Sequence, residues 1–261
     1  STMKDLTGHI VILHTNDVHG GIAGYAKVHA LRESYDAAGA YTLLVDAGDF
    51  IQGDPTVSAS KGETAIEIMN SARYNYFVPG NHEFDYGYDN LKKLQSESWA
   101  DPLAANILYN GEPAFGSSII LHNDLLGDKT IGLFGLATPE TATKAHPAKI
   151  QGVTFVGGQD MMKVAQTEVD TLKAAGCDYV ICLGHLGIDA ESTGNRSIDV
   201  LNAVTGIDVF IDGHSHSTFS ETIKDKSGKE VVFEQTGTKL ANVGKLTIKT
   251  DGTIAHENID L

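Results

Sequence analysis

A chain of 261 residues that is 41% hydrophobic and 20% charged is long enough for a large core and too apolar for a disordered tail. Nineteen Lys and Arg against 34 Asp and Glu give a formal charge of -15, and Arg32, Arg73 and Arg196 are the only arginines, so no basic stripe exists to follow a nucleic-acid polymer or an anionic membrane. No apolar run approaches the roughly 20 residues that cross a bilayer, so no transmembrane segment is expected.

The first nine residues lack the charged, apolar and small-residue succession of a signal peptide, and residues 1–3 read as a trimmed start. A β-branched run at 9–15 reads as a strand. Tyr25, Val28, Leu31 and Tyr35 then share one face of a helix that Gly39 stops. Further strands are expected at 42–45, 76–79, 131–136, 178–183 and 207–211, with a helix through Met161, Ala165, Val169 and Leu172 ahead of Gly176. From residue 229 onward, VVFEQ, VGKLTIKT and TIAHENI, with an Asp251-Gly252 turn, read as antiparallel strands. The alternation predicts an α/β fold with a mixed sheet, and no repeat or linker divides residues 1–261. Cys177 and Cys182, five apart in an extended run, lie too far from one another to pair.

Chemistry gathers where the strands end. The runs pass into Asn16-Asp17-Val18-His19, Asp46-Ala47-Gly48-Asp49, Gly80-Asn81-His82-Glu83, Gly184-His185 and Asp212-Gly213-His214-Ser215-His216. In α/β sheets the carboxyl ends of strands are where ligands bind. Gly48, Gly80, Gly184 and Gly213 each precede a candidate ligand, where a missing Cβ permits a sharp turn. Any one of these residues alone is more often a core histidine or a turn aspartate. Together Asp17, His19, Asp49, Asn81, His185, His214 and His216 offer seven oxygen or imidazole donors and no thiolate, a set suited to Zn, Mn, Fe or Co. Seven donors exceed one closed tetrahedral site, and one bridging carboxylate would give each of two ions four bonds. Two divalent cations about 3.5–4 Å apart suit in-line displacement at phosphorus, so phosphate-ester hydrolysis is the expected chemistry.

The same strings, in this order, resemble the calcineurin-like metallophosphoesterases. TNDVHG at 15–20, DAGDFIQG at 46–53, GNHEFDYG at 80–87 and IDGHSH at 211–216 are similar to the 5'-nucleotidase branch. The resemblance implies a four-layer α/β/β/α sandwich of two mixed sheets. It assigns Asp17, His19, Asp49 and His216 to one metal and Asp49, Asn81, His185 and His214 to the other. It also implies that His82 contacts the transferring phosphoryl group while Asp85 holds the imidazole, a pairing that favours the imidazolium. The branch often has Gln or Asn where this chain has His216. The nucleoside-binding, carboxyl-terminal domain usual in the branch is expected to be absent from this chain, which reads as the catalytic domain alone. The implied substrate is a nucleoside 5'-phosphate or a related small phosphate ester. The implied setting is extracellular, cell-surface or periplasmic.

Two rival functions are a 2',3'-cyclic nucleotide phosphodiesterase, in which Asn follows HEF where this chain has Asp85, and a binding module that keeps metals only for stability. Outside the motifs, His9, His14, His29, His122, His146 and His256 read as structural or exposed, Tyr86 and Tyr88 as packing, and Asp54 as a turn residue. Asp212 reads equally as a ring acceptor and as a turn residue.

Overall fold

Every side chain of β1 (Ile10–Thr15) is buried, a condition that a strand meets only when both faces of its sheet are covered. The computed structural model describes residues 4–261, so the reading of residues 1–3 as a trimmed start lies outside the described residues. After β1 come α1 (Tyr25–Ala37), β2 (Tyr41–Asp46), α2 (Pro55–Ala59), α3 (Glu63–Ser71), β3 (Tyr76–Phe77), α4 (Tyr88–Glu97) and β4 (Asp101–Pro102). The chain continues through β5 (Ile107–Tyr109), β6 (Glu112–Pro113), β7 (Ser118–Leu121), β8 (Ile131–Ala137), α5 (Thr141–Lys144), β9 (Val153–Phe155), α6 (Gly158–Ala174), β10 (Tyr179–His185), α7 (Ser197–Ala203) and β11 (Val209–Ile211). It closes with β12 (Thr218–Lys224), β13 (Glu230–Thr236), β14 (Asn242–Ile248) and β15 (Ile254–Asp260).

One six-stranded sheet has the order β15-β14-β1-β2-β3-β4 and the other β12-β13-β11-β10-β8-β7, while β6-β5-β9 form a small third sheet. In the first, β1 to β4 are parallel and β14 and β15 antiparallel. In the second, β8, β10, β11 and β13 are parallel between antiparallel edges β7 and β12.

Period-two alternation sorts the apolar residues into three interfaces. Ile10, Ile12, Leu43 and Val45 face Leu133, Ile181, Leu183 and Ile211 between the two large sheets. Their neighbours Val11, Leu13 and Leu44 point the other way, against Val28 of α1 and Ile66 and Met69 of α3. On the far side, Phe134, Val180, Cys182 and Phe210 pack on Met161, Ala165 and Val169 of α6 and on Leu201 of α7. The result is the α/β/β/α sandwich of two mixed sheets that the resemblance implies. Among the described residues no helix is long and apolar enough to cross a membrane. Both cysteines are buried and free.

The carboxyl-terminal strands differ from the expectation. β14 and β15 form the antiparallel hairpin, but β13 runs parallel to β11 in the other sheet and antiparallel only to β12. The single sheet read from the sequence is thus two, with the last strands divided between them. β12 was not expected at all, because none of its residues is fully buried and only Phe219 and Ile223 mark its inner face.

Polar clamps tie the two sheets together beside the strand ends. Asn16 donates to the Gly237 carbonyl at 3.0 Å and accepts from the Thr236 amide at 2.9 Å. His14, fully buried, meets Glu234 at 3.1 Å. These contacts hold the loops of one sheet in register with those of the other.

Candidate metal centre

The loops after β1, β2 and β3 bring Asp17, His19, Asp49, Asn81, His82 and Asp85 from the first sheet. His185 is the last residue of β10, and His214 and His216 follow β11, so the second sheet supplies the facing side. The backbone here is strained. Asp17, His19, Asp49, His214 and His216 have φ of 50°, 44°, 67°, 81° and 57°, in the left-handed region that non-glycine residues avoid. Such a conformation costs about 1–3 kcal/mol at each residue and persists only where the surroundings over-determine it. Five of the seven candidate ligands pay it, which marks the strand ends as built for side-chain aim rather than for stability.

Close approach explains two glycines. A Cβ at Gly80 would lie 2.2 Å from Asp49 Oδ1, and one at Gly48, where φ is +98°, would lie 2.7 Å from His185 Nδ1. Gly184 corrects the sequence reading: it sits within β10, and its Cβ would strike the Phe210 ring at 2.7 Å, so it permits packing and not a turn.

Six of the seven candidate ligands converge in two groups, and Asn81 stands beside the second. Asp17, His19 and His216 form one, and Asp49, His185 and His214 the other, with the donor atoms of each within 4.8 Å of one another. Donors about 2.1 Å from a shared tetrahedral ion lie roughly 3.4 Å apart. In the first group, His19 Nε2 is 3.1 Å from His216 Nε2, and Asp17 Oδ1 is 3.7 and 3.5 Å from those two nitrogens respectively. In the second, His185 Nε2 is 3.2 Å from Asp49 Oδ2 and 3.3 Å from Asn81 Oδ1. Asp17 Oδ1 is buried and has no hydrogen-bond partner, although an orphaned carboxylate oxygen is costly. A divalent cation fits these separations and would satisfy that oxygen. Asp49 Oδ2 also lies 3.8 Å from His19 Nε2, so this carboxylate stands between the groups.

The electrostatics agree. Burial alone would push the Asp17 and Asp49 carboxyls up, but the adjacent imidazoles, His185 foremost, hold both below the usual range. Burial would likewise push His185 down, yet Asp49 and Asp17 hold it up at about 10. Burial and the charge on His185 push His214 down to about 4. The pocket therefore retains positive charge beside two carboxylates, a place that a dication can take from protons.

Neighbours fix the rings. His185 Nδ1 donates to the Ala47 carbonyl at 2.5 Å and His19 Nδ1 to Gln52 Oε1 at 2.9 Å, leaving each Nε2 toward the centre. His82 Nδ1 lies 2.9 Å from Asp85 Oδ2, and that hydrogen bond is the main cause of an imidazole held up at about 9. Asp212 accepts from the Leu186 and Gly187 amides at 3.0 and 3.1 Å, so it shapes the turn after β10 and holds no ring. Asp54 caps α2 through the Thr56 amide, and Tyr88 is buried and stacked on Tyr109 at 4.3 Å.

Sequence reasoning passed over Glu83, Gln52, Glu140 and Lys144. Glu83 stands in the GNHE string, and its only signal was its place beside a ligand. It is fully buried and accepts from the amides of Asp49, Gly80 and Phe50 at 2.5, 2.7 and 3.0 Å. Burial, followed by the charge of Asp49, raises its carboxyl to about 7. Glu83→Gln is expected to lower the unfolding free energy by about 1–3 kcal/mol, since an NH2 group would then face a buried amide donor. Urea denaturation checks this, and unchanged stability would exclude Glu83 as the clamp between the two loops.

The profile of the calcineurin-like phosphoesterase family matches residues 10–218. The chain is 32% identical over 233 residues to 5'-nucleotidase from Homo sapiens, an alignment covering 80% of this chain and 38% of that protein. It is 29% identical over 247 residues to the trifunctional nucleotide phosphoesterase protein YfkN from Bacillus subtilis (strain 168), covering 81% of this chain and 17% of that protein. A crystal structure of a putative 5'-nucleotidase from Staphylococcus aureus superimposes with a TM-score of 0.80 at 25% identity, covering 97% of this chain and 53% of that one. The chain thus spans well under half the length of these two curated relatives.

Proposed function

Because the chain belongs to the calcineurin-like phosphoesterases, we propose that it is a two-metal phosphomonoester hydrolase that removes phosphate from nucleoside 5'-phosphates or related nucleotides. The observation that carries this reading is the position of Asp49, whose Oδ2 lies 3.2 Å from His185 Nε2 and 3.8 Å from His19 Nε2. One divalent ion would be held by Asp17, His19, Asp49 and His216 and the other by Asp49, Asn81, His185 and His214, from among Zn, Mn, Fe and Co. When bound, the ions supply charge stabilisation for the phosphoryl group and activation of the attacking water.

The chain's own residues do the rest. His82, an imidazolium at neutral pH through its bond to Asp85, offers its free Nε2–H to a phosphoryl oxygen as negative charge develops there. Asp49 Oδ1 accepts from the His82 amide at 2.9 Å, which ties the position of that imidazole to the carboxylate between the metal groups. The nucleotide specificity draws support from the names of the relatives. An extracellular, cell-surface or periplasmic setting, and a further domain for base recognition in a longer parent protein, belong to the same proposal.

Phosphate release from a panel of nucleoside 5'-phosphates and 2',3'-cyclic nucleotides, with Mn or Zn added, tests it. The expected result is metal-dependent turnover of the 5'-phosphates and its loss on chelation. Preference for the cyclic esters would favour the phosphodiesterase, and metal binding without turnover of any ester would leave a binding module.

A further inference from the structure

A sixth strand end reaches the site. β8 lies beside β10 with Ala137 paired to His185, so the segment after β8 leaves the sheet at the same edge as the candidate ligands. Glu140 opens that segment, and α5 ends on Lys144. Glu140 Oε2 is 2.8 Å from Lys144 Nζ and 3.5 Å from His214 Nε2. Lys144 and Ala145 close a cavity of about 280 Å³ opposite Asp49, His82, Asp85 and His214.

Lys144 is the sole Lys or Arg on that lining. The three arginines are engaged elsewhere: Arg196 with Asp199, Arg73 with Glu33, and Arg32 with the Arg73 and Thr42 carbonyls. Depth separates the charges along the cleft. Asp49 and His214 are 2% and 9% exposed at its floor, whereas Lys144 is 45% exposed at its rim. A phosphoryl group seated on the floor has the metal groups and His82 for its own charge. The rim cation is left for charge that lies farther out, on a molecule whose net charge of -15 otherwise repels anions.

We propose that Lys144 is a specificity-determining residue whose ammonium engages a second anionic group next to the scissile phosphate, as in a nucleoside diphosphate. Glu140 keeps the ammonium at the rim when no substrate is bound. The ammonium end of this pair is 45% exposed although Glu140 is only 15% exposed, so Lys144 exchanges Glu140 for a phosphate oxygen at modest cost. In the same movement Glu140 keeps its contact with His214.

The inference rests on the hydrolase reading above, and its test separates the two. We would measure kcat and KM for adenosine 5'-monophosphate and adenosine 5'-diphosphate with wild type, Lys144→Gln and Lys144→Arg, with metal content assayed in each. Lys144→Gln is expected to raise KM for the diphosphate about tenfold while kcat and the monophosphate KM stay within about twofold, and Lys144→Arg to restore most of the loss. Equal changes on both substrates, or none, would overturn the proposal. If wild type hydrolyses neither, the hydrolase reading fails, and calorimetric binding of methylenediphosphonate to the metal-loaded proteins decides for Lys144. Weaker binding to Lys144→Gln supports its role, and equal binding overturns it.

Discussion

Asp49→Ala is expected to lower kcat/KM more than about a hundredfold and to reduce bound metal from two equivalents, with the fold retained. The magnitude follows from position: residues that merely orient a metal ligand are worth 10–100-fold, and Asp49 stands between both groups. Its loss would strip a donor from each ion and remove the acceptor of the His82 amide. Plasma mass spectrometry of the metal-loaded variant, beside phosphate release and circular dichroism, checks the result. A variant that held two metals and turned over normally would show that Asp49 bridges nothing.

Asp85→Asn is expected to move the alkaline limb of kcat/KM to lower pH. The bond to Asp85 is the largest cause of the His82 imidazole standing at about 9 against an ordinary 6.5. A raised value favours the protonated form, so the imidazolium is fully present below pH 6.5 and is lost as pH rises through about 9. Without the carboxylate the limb falls toward the ordinary value. At pH 8 a limb displaced from about 9 to about 7 lowers the protonated fraction, and with it the rate, by roughly tenfold. His82→Gln, which abolishes the group, is expected to cost about 10²–10⁴-fold below that limb and to remove the limb. An unmoved limb in Asp85→Asn would assign the alkaline ionisation to another group.

The residues that converge were legible before the structure because each lies at or just past the end of a strand, and buried strands announce themselves. β1, β2, β8 and β10 are almost wholly buried, so their apolar runs stand out and fix where the next polar residues emerge. β12 lacks such a run and was missed. β13 and β14 read alike in sequence, and only pairing partners chosen across the whole fold divide them between two sheets.

Within the site the hidden parts act through the backbone or through partners distant in sequence. The left-handed conformations at Asp17, His19, Asp49, His214 and His216 are not legible in residue type, since Asp and His enter that region more often than most residues but still only rarely. Glu83 binds three amides and touches no group with a recognisable chemistry, so its neighbours in GNHE drew the attention. Lys144 and Glu140 follow β8, whose end carries no DxH-like or GH-like string. Their placement beside His214 depends on the pairing of β8 with β10.

Anomalous diffraction from crystals loaded with Mn or Zn tests the central claim most directly. The account predicts two peaks, one among Asp17, His19 and His216, the other among Asn81, His185 and His214, with Asp49 in contact with both. A single peak, or two peaks of which Asp49 touches only one, would contradict it.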